Sequence, residues 1–203
     1  MKPFIFCMGL PGNGKTTTSK LLEQKLYEYI RFNAHDMREE LGLPRYDTSK
    51  DGSQEEEKVE QYLQELHSKI IQGKGLIVDR AGTMEKFRSY VYDWAKHYGV
   101  EELVIYHNVP KEIAKKGIQD RDPGLEYVGE NAYQHNDPRI FDRYIGQWES
   151  PIKDLDEDKY PHVSMVMWNY KTHSFEEIRV SENIRPLVQA VQNLLSTHSP
   201  SKN

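Results

Sequence analysis

Residues Gly9-Leu10-Pro11-Gly12-Asn13-Gly14-Lys15-Thr16 fit the pattern G-x-x-x-x-G-K-[ST] at every position. The setting matters as much as the match. Phe4-Ile5-Phe6-Cys7-Met8 is a short apolar run that reads as a buried strand. From Thr16 to Ile30, Leu21, Leu22, Leu26, Tyr29 and Ile30 recur at helical spacing. A glycine-rich turn between a strand and a helix lets successive backbone N–H groups face one anion, and the helix start adds its positive end. The expected ligand is a nucleoside triphosphate, held by Gly12, Asn13, Gly14, Lys15, Thr16 and Thr17. Lys15 would reach the β- and γ-phosphates, and the Thr16 hydroxyl would hold Mg²⁺.

The rest of the chain supplies the partners such a loop needs. Gly75-Leu76-Ile77-Val78-Asp79, Leu103-Val104-Ile105-Tyr106 and Val163-Ser164-Met165-Val166-Met167 read as further buried strands, and Ile30 to Asn33 as a brief one. Helical patterns fall between them, at Asp36 to Leu41, Gln54 to Gln72, Met84 to Tyr98, Pro110 to Asp120, Arg139 to Glu149 and Ile184 to Leu195. Alternation of this kind predicts an α/β domain with a mostly parallel sheet of about five strands and helices on both faces. With 203 residues the chain is expected to form a single P-loop NTPase domain, with a helical lid near 111–138 and a frayed tail at 196–203.

Composition narrows the function classes. There are 27 Lys and Arg against 32 Asp and Glu, a formal charge of −5, so a general nucleic-acid coat is excluded as a first reading. No uncharged run approaches the roughly 18 residues of a membrane span, and no signal-peptide pattern opens the chain. The single cysteine, Cys7, sits in the first apolar run and reads as a small buried hydrophobe. A lone cysteine fits a reducing compartment, so a cytoplasmic protein is expected. The eight His residues show no ligand spacing. No Asn-Lys-x-Asp tetrad occurs, which lowers a GTPase reading, and the length argues against large motor ATPases.

Asn33-Ala34-His35-Asp36-Met37-Arg38-Glu39-Glu40 resembles the segment after the second strand of phage-type polynucleotide 5′-hydroxyl kinases. Gly75 to Asp79 resembles that family's third strand, Tyr90 to Gly99 its aromatic-rich helix, and Lys115-Lys116 to Arg121-Asp122 its basic lid. Ordered correspondence covers roughly residues 4 to 167. The chain departs from the pattern at Arg80-Ala81-Gly82-Thr83 after the third strand and at Lys116, where the family has Arg.

The resemblance implies an ATP-dependent kinase acting on the 5′-hydroxyl of a nucleic acid or nucleotide. Asp36 would be the general base, Arg38 the grip on the acceptor's phosphate, and Arg121 the lid arginine on the transferring phosphoryl group. Asp79 would hold Mg²⁺ through water or orient Arg38. Lys115, Lys116, Arg139 and Arg143 would extend a positive mouth. Asp36 has a plainer reading as a helix cap, and Arg38 as a surface ion-pair partner. Tyr46 is a candidate for stacking on a base; Trp168-Asn169-Tyr170 lies near where adenine rests in this class. Tyr90, Trp94 and Tyr98 recur at helical spacing and are expected in the core. A zeta-toxin-like or small-molecule kinase acting on a sugar or antibiotic hydroxyl would use the same Lys15, Thr16, Asp36 and lid arginine; the other alternative is an ATP-binding switch that transfers nothing, against which Asp36 argues.

Overall fold

The computed structural model describes residues 1–43, 53–119, 138–155 and 159–197. Six strands form one sheet: β1 (Phe4–Gly9), β2 (Tyr29–Phe32), β3 (Gly75–Asp79), β4 (Glu102–His107), β5 (Val163–Asn169) and β6 (Ser174–Arg179). Their spatial order is β2-β3-β1-β4-β5-β6. The first five pair in parallel, and β6 runs antiparallel to β5. The α/β architecture expected from the sequence is therefore present, with one strand more than the pattern suggested.

Seven α-helices accompany the sheet among the described residues: α1 (Lys15–Lys25), α2 (Ala34–Glu40), α3 (Ser53–Ile71), α4 (Glu85–His97), α5 (Lys111–Gln119), α6 (Pro138–Gly146) and α7 (Arg185–Thr197). Side chains alternate across β1 because successive residues of a strand face opposite sides. Phe4, Phe6 and Met8 pack with Leu66 and Ile70 of α3 and Val91, Tyr92 and Ala95 of α4. Ile5 and Cys7 pack with Leu22 of α1 and Val188, Val191 and Leu195 of α7. Cys7 is buried as expected, and burial raises its thiol pKa well above the usual value. The sheet is thus covered on both faces, and the C-terminal ends of β1, β3 and β4 lie side by side, the end of an open α/β sheet at which ligands bind.

Three local expectations are corrected. The first helix stops at Lys25, and Tyr29 and Ile30 belong to β2. The second helix starts at Ala34, capped by Asn33, whose side-chain oxygen accepts from the backbone N–H of His35 (2.9 Å) and Asp36 (3.2 Å). Asp36 is therefore inside the first turn and is not the cap. Tyr90 is 62% exposed, because the buried stripe of α4 is Arg88, Val91, Tyr92 and Ala95. No helix among the described residues is long and apolar enough to cross a membrane.

Candidate functional site

The glycine-rich loop joins β1 directly to α1. Gly14 precedes α1 with φ 88° and ψ 0°, and no side chain caps the helix. A residue with Cβ disfavours that conformation, whereas glycine adopts it at little cost. Gly14 has no side chain to cap the first N–H groups of α1, and a helix start of this kind is an arrangement an anion occupies. Asn13 braces the loop: its Nδ2 donates to the His107 carbonyl at the end of β4 (2.9 Å), and its Oδ1 accepts from the Lys15 backbone N–H (3.3 Å). The Lys15 ammonium donates to the Leu10 carbonyl (3.4 Å), with the residue 9% exposed. Its charge is thus folded over the loop's own backbone.

Helix α5 closes the other side. Leu10 and Val109 pack against Ala114 and Ile118. A Cβ on Gly12 would come within 2.0 Å of the Ala114 carbonyl oxygen, and one on Gly117 within 2.4 Å of the Gly12 carbonyl oxygen. Two glycines therefore let α5 lie backbone-to-backbone on the phosphate loop. Lys115 pairs with Asp142 of α6 at 3.8 Å, and Lys116 is exposed. Arg143 is exposed on α6, to which Arg139 also belongs. Arg121 and Tyr46 lie outside the described residues, as does 120–137 of the expected lid. Tyr170 packs beside the cluster that contains Leu10, while Trp168 lies edge-on to Phe175 and His173.

Asp79 ends β3 within reach of α1 and β2, and it is 4% exposed. Its Oδ2 accepts from the Ser19 hydroxyl (3.1 Å), Asn33 Nδ2 (2.9 Å) and Arg31 Nη1 (3.3 Å). Its Oδ1 is buried and accepts no hydrogen bond from the described residues. Such an oxygen is costly unless something uses it. A buried carboxylate oxygen with spare capacity, beside a helix that begins Lys15-Thr16, fits a hard divalent cation that keeps several waters. Thr16 and Asp79 are accordingly the residues that would hold Mg²⁺. The guanidinium that Asp79 engages is that of Arg31.

Arg31 also pairs with Asp36 through Nη2 and Asp36 Oδ2, and with Glu23 through Nε (3.3 Å). Burial alone would lower the Arg31 pKa; Asp36, Asp79 and Glu23 outweigh it and raise the pKa above its ordinary value. The network links Ser19, Asp79, Asn33, Arg31 and Asp36, running from the loop-bearing helix to α2. Arg38 follows on the same helix and is half-buried.

His107 stands beside β1 at Gly9, 2% exposed, with neither ring nitrogen hydrogen-bonded among the described residues. Burial, reinforced by the Lys15 charge, lowers its pKa to about 3, so it is neutral near pH 7. Sequence reasoning missed Arg31, Ser19 and His107. A charged residue between Ile30 and Phe32 in a four-residue strand was the one available signal for Arg31.

The AAA domain family matches residues 4–133, well over half of the 203 residues. A Thermococcus kodakarensis protein named "Putative adenylate kinase" is 32% identical over 132 residues, covering 63% of this chain and 62% of that protein. The chain thus matches rather less than two thirds of that relative's length. The crystal structure of Chaetomium thermophilum Kti12 in complex with ADP-AlF3 superposes with a TM-score of 0.50 at 17% identity, covering 95% of this chain and 99% of that one. A gluconokinase from Sinorhizobium meliloti 1021 gives 0.48 at 11% identity, over 96% and 92%. By its sequence the protein belongs to the AAA domain family.

Proposed function

We propose that the protein is an ATP-dependent phosphotransferase that moves the γ-phosphoryl group of ATP to a hydroxyl acceptor, namely the 5′-hydroxyl of a nucleic-acid or nucleotide end. One observation carries the reading. Asp36 does not serve as a cap, and it is tied through Arg31 to Asp79, the carboxylate beside the phosphate loop. A nucleotide switch has no use for a second, open carboxylate there. A phosphotransferase uses it to take the acceptor's proton.

In this reading the loop amides and Lys15 hold the triphosphate, and Lys15 leaves the Leu10 carbonyl for phosphate oxygens. Mg²⁺, held by Thr16 and Asp79, would neutralise charge on the phosphates. The acceptor oxygen bonds to the γ-phosphorus as the bond from that phosphorus to the β,γ-bridging oxygen breaks. ADP leaves, and the hydroxyl proton passes to Asp36. Arg38, on the same helix, would grip the phosphate on the 3′ side of the accepting nucleoside. Arg121 would steady the transferring oxygens.

The test is a screen of labelled ATP against 5′-hydroxyl oligonucleotides, 3′-phosphorylated nucleosides, free nucleosides, sugars, aminoglycosides and AMP. The 3′-phosphorylated and oligonucleotide acceptors should be used best. Charge-assisted bonds of the Arg38 kind are worth about 1.5–3 kcal/mol, so Arg38→Ala should weaken their use by roughly 10–100-fold. An uncharged sugar that outcompetes every oligonucleotide, with Arg38→Ala neutral, favours a small-molecule kinase. Transfer to AMP alone, as the name of the Thermococcus relative suggests, overturns the hydroxyl acceptor.

A further inference from the structure

Arg31 belongs to neither the phosphate loop nor the Asp36–Arg38 segment, yet its side chain joins Asp36 to Asp79 at the end of β3. It leaves the middle of β2 and is 8% exposed. Its three kinds of nitrogen point to three carboxylates: Nε to Glu23, Nη1 to Asp79 and Nη2 to Asp36. Glu23 also accepts from the Arg31 backbone N–H at 3.1 Å, so strand and side chain are fixed together.

The three carboxylates are not equivalent. Asp79 is already held by Ser19 and Asn33, both closer than Arg31. Glu23 and Asp36 are equally open, with side chains 42% and 43% exposed, but Glu23 is bound by both the backbone N–H and the Nε of Arg31, whereas Asp36 is bound through Nη2. Asp79 and Glu23 therefore anchor the guanidinium, and Asp36 is what the guanidinium positions.

We infer that Arg31 is a positioning residue for phosphoryl transfer, fixing Asp36 through Oδ2 so that its other oxygen meets the acceptor hydroxyl. The inference rests on the proposed role of Asp36 as the acceptor's base. A planar fork that donates in several directions is required, which the single ammonium of lysine does not supply. Orientation is what such a contact contributes, since misplacing a reacting group by about 1 Å costs on the order of 100-fold.

The experiment is a kinetic double-mutant cycle with Arg31→Lys and Asp36→Asn, using the best acceptor from the screen. Arg31→Lys keeps a buried positive charge and so keeps the fold; the melting curve checks this. It should lower kcat by roughly 10-fold and leave KM for ATP unchanged. In the Asp36→Asn background it should change kcat no further, because the group it acts through is gone. An equal loss in both backgrounds, a loss confined to KM for ATP, or wild-type kinetics in Arg31→Lys overturns the inference and leaves the phosphotransferase reading standing. A wild-type protein that phosphorylates none of the acceptors overturns that reading, and the role of Arg31 with it.

Discussion

Among the described residues two buried arginines hold carboxylates, and their surroundings are opposite. Arg88 of α4 meets Asp154 in the 3₁₀ turn Pro151–Asp154, with side chains 1% and 2% exposed. Its Nη2 donates to Asp154 Oδ1 (2.8 Å), its Nη1 to the carbonyls of Gly82 (2.9 Å) and Glu149 (3.1 Å), and Tyr92 donates to Asp154 Oδ2 (3.0 Å). Both partners are sealed, so nothing from solution can use them. Arg31 is nearly as buried, but two of its carboxylates, Asp36 and Glu23, open to solvent. The difference separates a sealed ion pair that ties elements together from one that keeps a carboxylate within reach of solvent. Arg88 links α4 to the loop after β3 and to the turn before β5; Arg31 links Asp79 at the end of β3 to Asp36 in α2.

The comparison breaks most sharply at Asp36. Asp36→Asn keeps the shape but removes the base, so steady-state transfer should fall roughly 10²–10⁴-fold. A half-exposed ion pair contributes little to folding, so the melting midpoint should move by no more than about 1 kcal/mol equivalent. ATP affinity, read by calorimetry, should stay near wild type. Transfer at wild-type rates would mean that the base lies elsewhere.

Arg88 should show the converse. Removing one partner of a buried pair strands the other, at a cost of about 3–5 kcal/mol. Arg88→Met should therefore lower the melting midpoint by roughly 6–20 °C, at about 2–4 °C per kcal/mol for a chain of this size. Turnover per folded molecule should be unchanged well below that midpoint. Arg88→Met with Asp154→Leu should recover much of the loss, since no charge is left stranded. A catalytic defect in folded Arg88→Met would erase the distinction between the two arginines.

A smaller effect sharpens the electrostatic side of the site. His107 titrates near 3 when folded and near 6.5 when unfolded, so the unfolded chain binds the extra proton. Its contribution to stability is complete above about pH 6.5 and is lost as pH falls toward 3. At pH 5 the loss is about 2 kcal/mol. Glu102 acts in the opposite sense: burial raises its pKa well above the usual carboxylate range, so its contribution is lost as pH rises. Comparison of wild type with His107→Leu isolates the histidine. The variant's melting midpoint should fall less between pH 7 and pH 5, and an identical fall would show that His107 is not buried as a neutral ring.

The fold was legible because the phosphate loop fixes β1 and α1, and because the buried strands are short apolar runs that announce themselves. β6 was not legible. Ser174-Phe175-Glu176-Glu177-Ile178-Arg179 is a half-covered edge strand in which charge masks the alternation. Tyr90 was misplaced because a repeat of four residues drifts around a helix with 3.6 residues per turn, away from the stripe marked by Arg88, Val91 and Ala95. At the site, Lys15, Thr16 and Asp79 follow from motif and strand end. The cap was misassigned because Asn33 and Asp36 are both good caps, and only the strand's end at Phe32 decides between them. Arg31 was missed because its partner Asp79 is 48 positions away, where no local pattern reaches.

The most direct measurement is mass spectrometry of a 5′-hydroxyl, 3′-phosphorylated nucleotide acceptor after incubation with ATP and Mg²⁺, for wild type and for folded Lys15→Ala. The account predicts one added phosphoryl group on the 5′ oxygen with wild type, matched by ADP, and none with Lys15→Ala. ADP formed with no phosphorylated acceptor, at the same rate in both proteins, would contradict it.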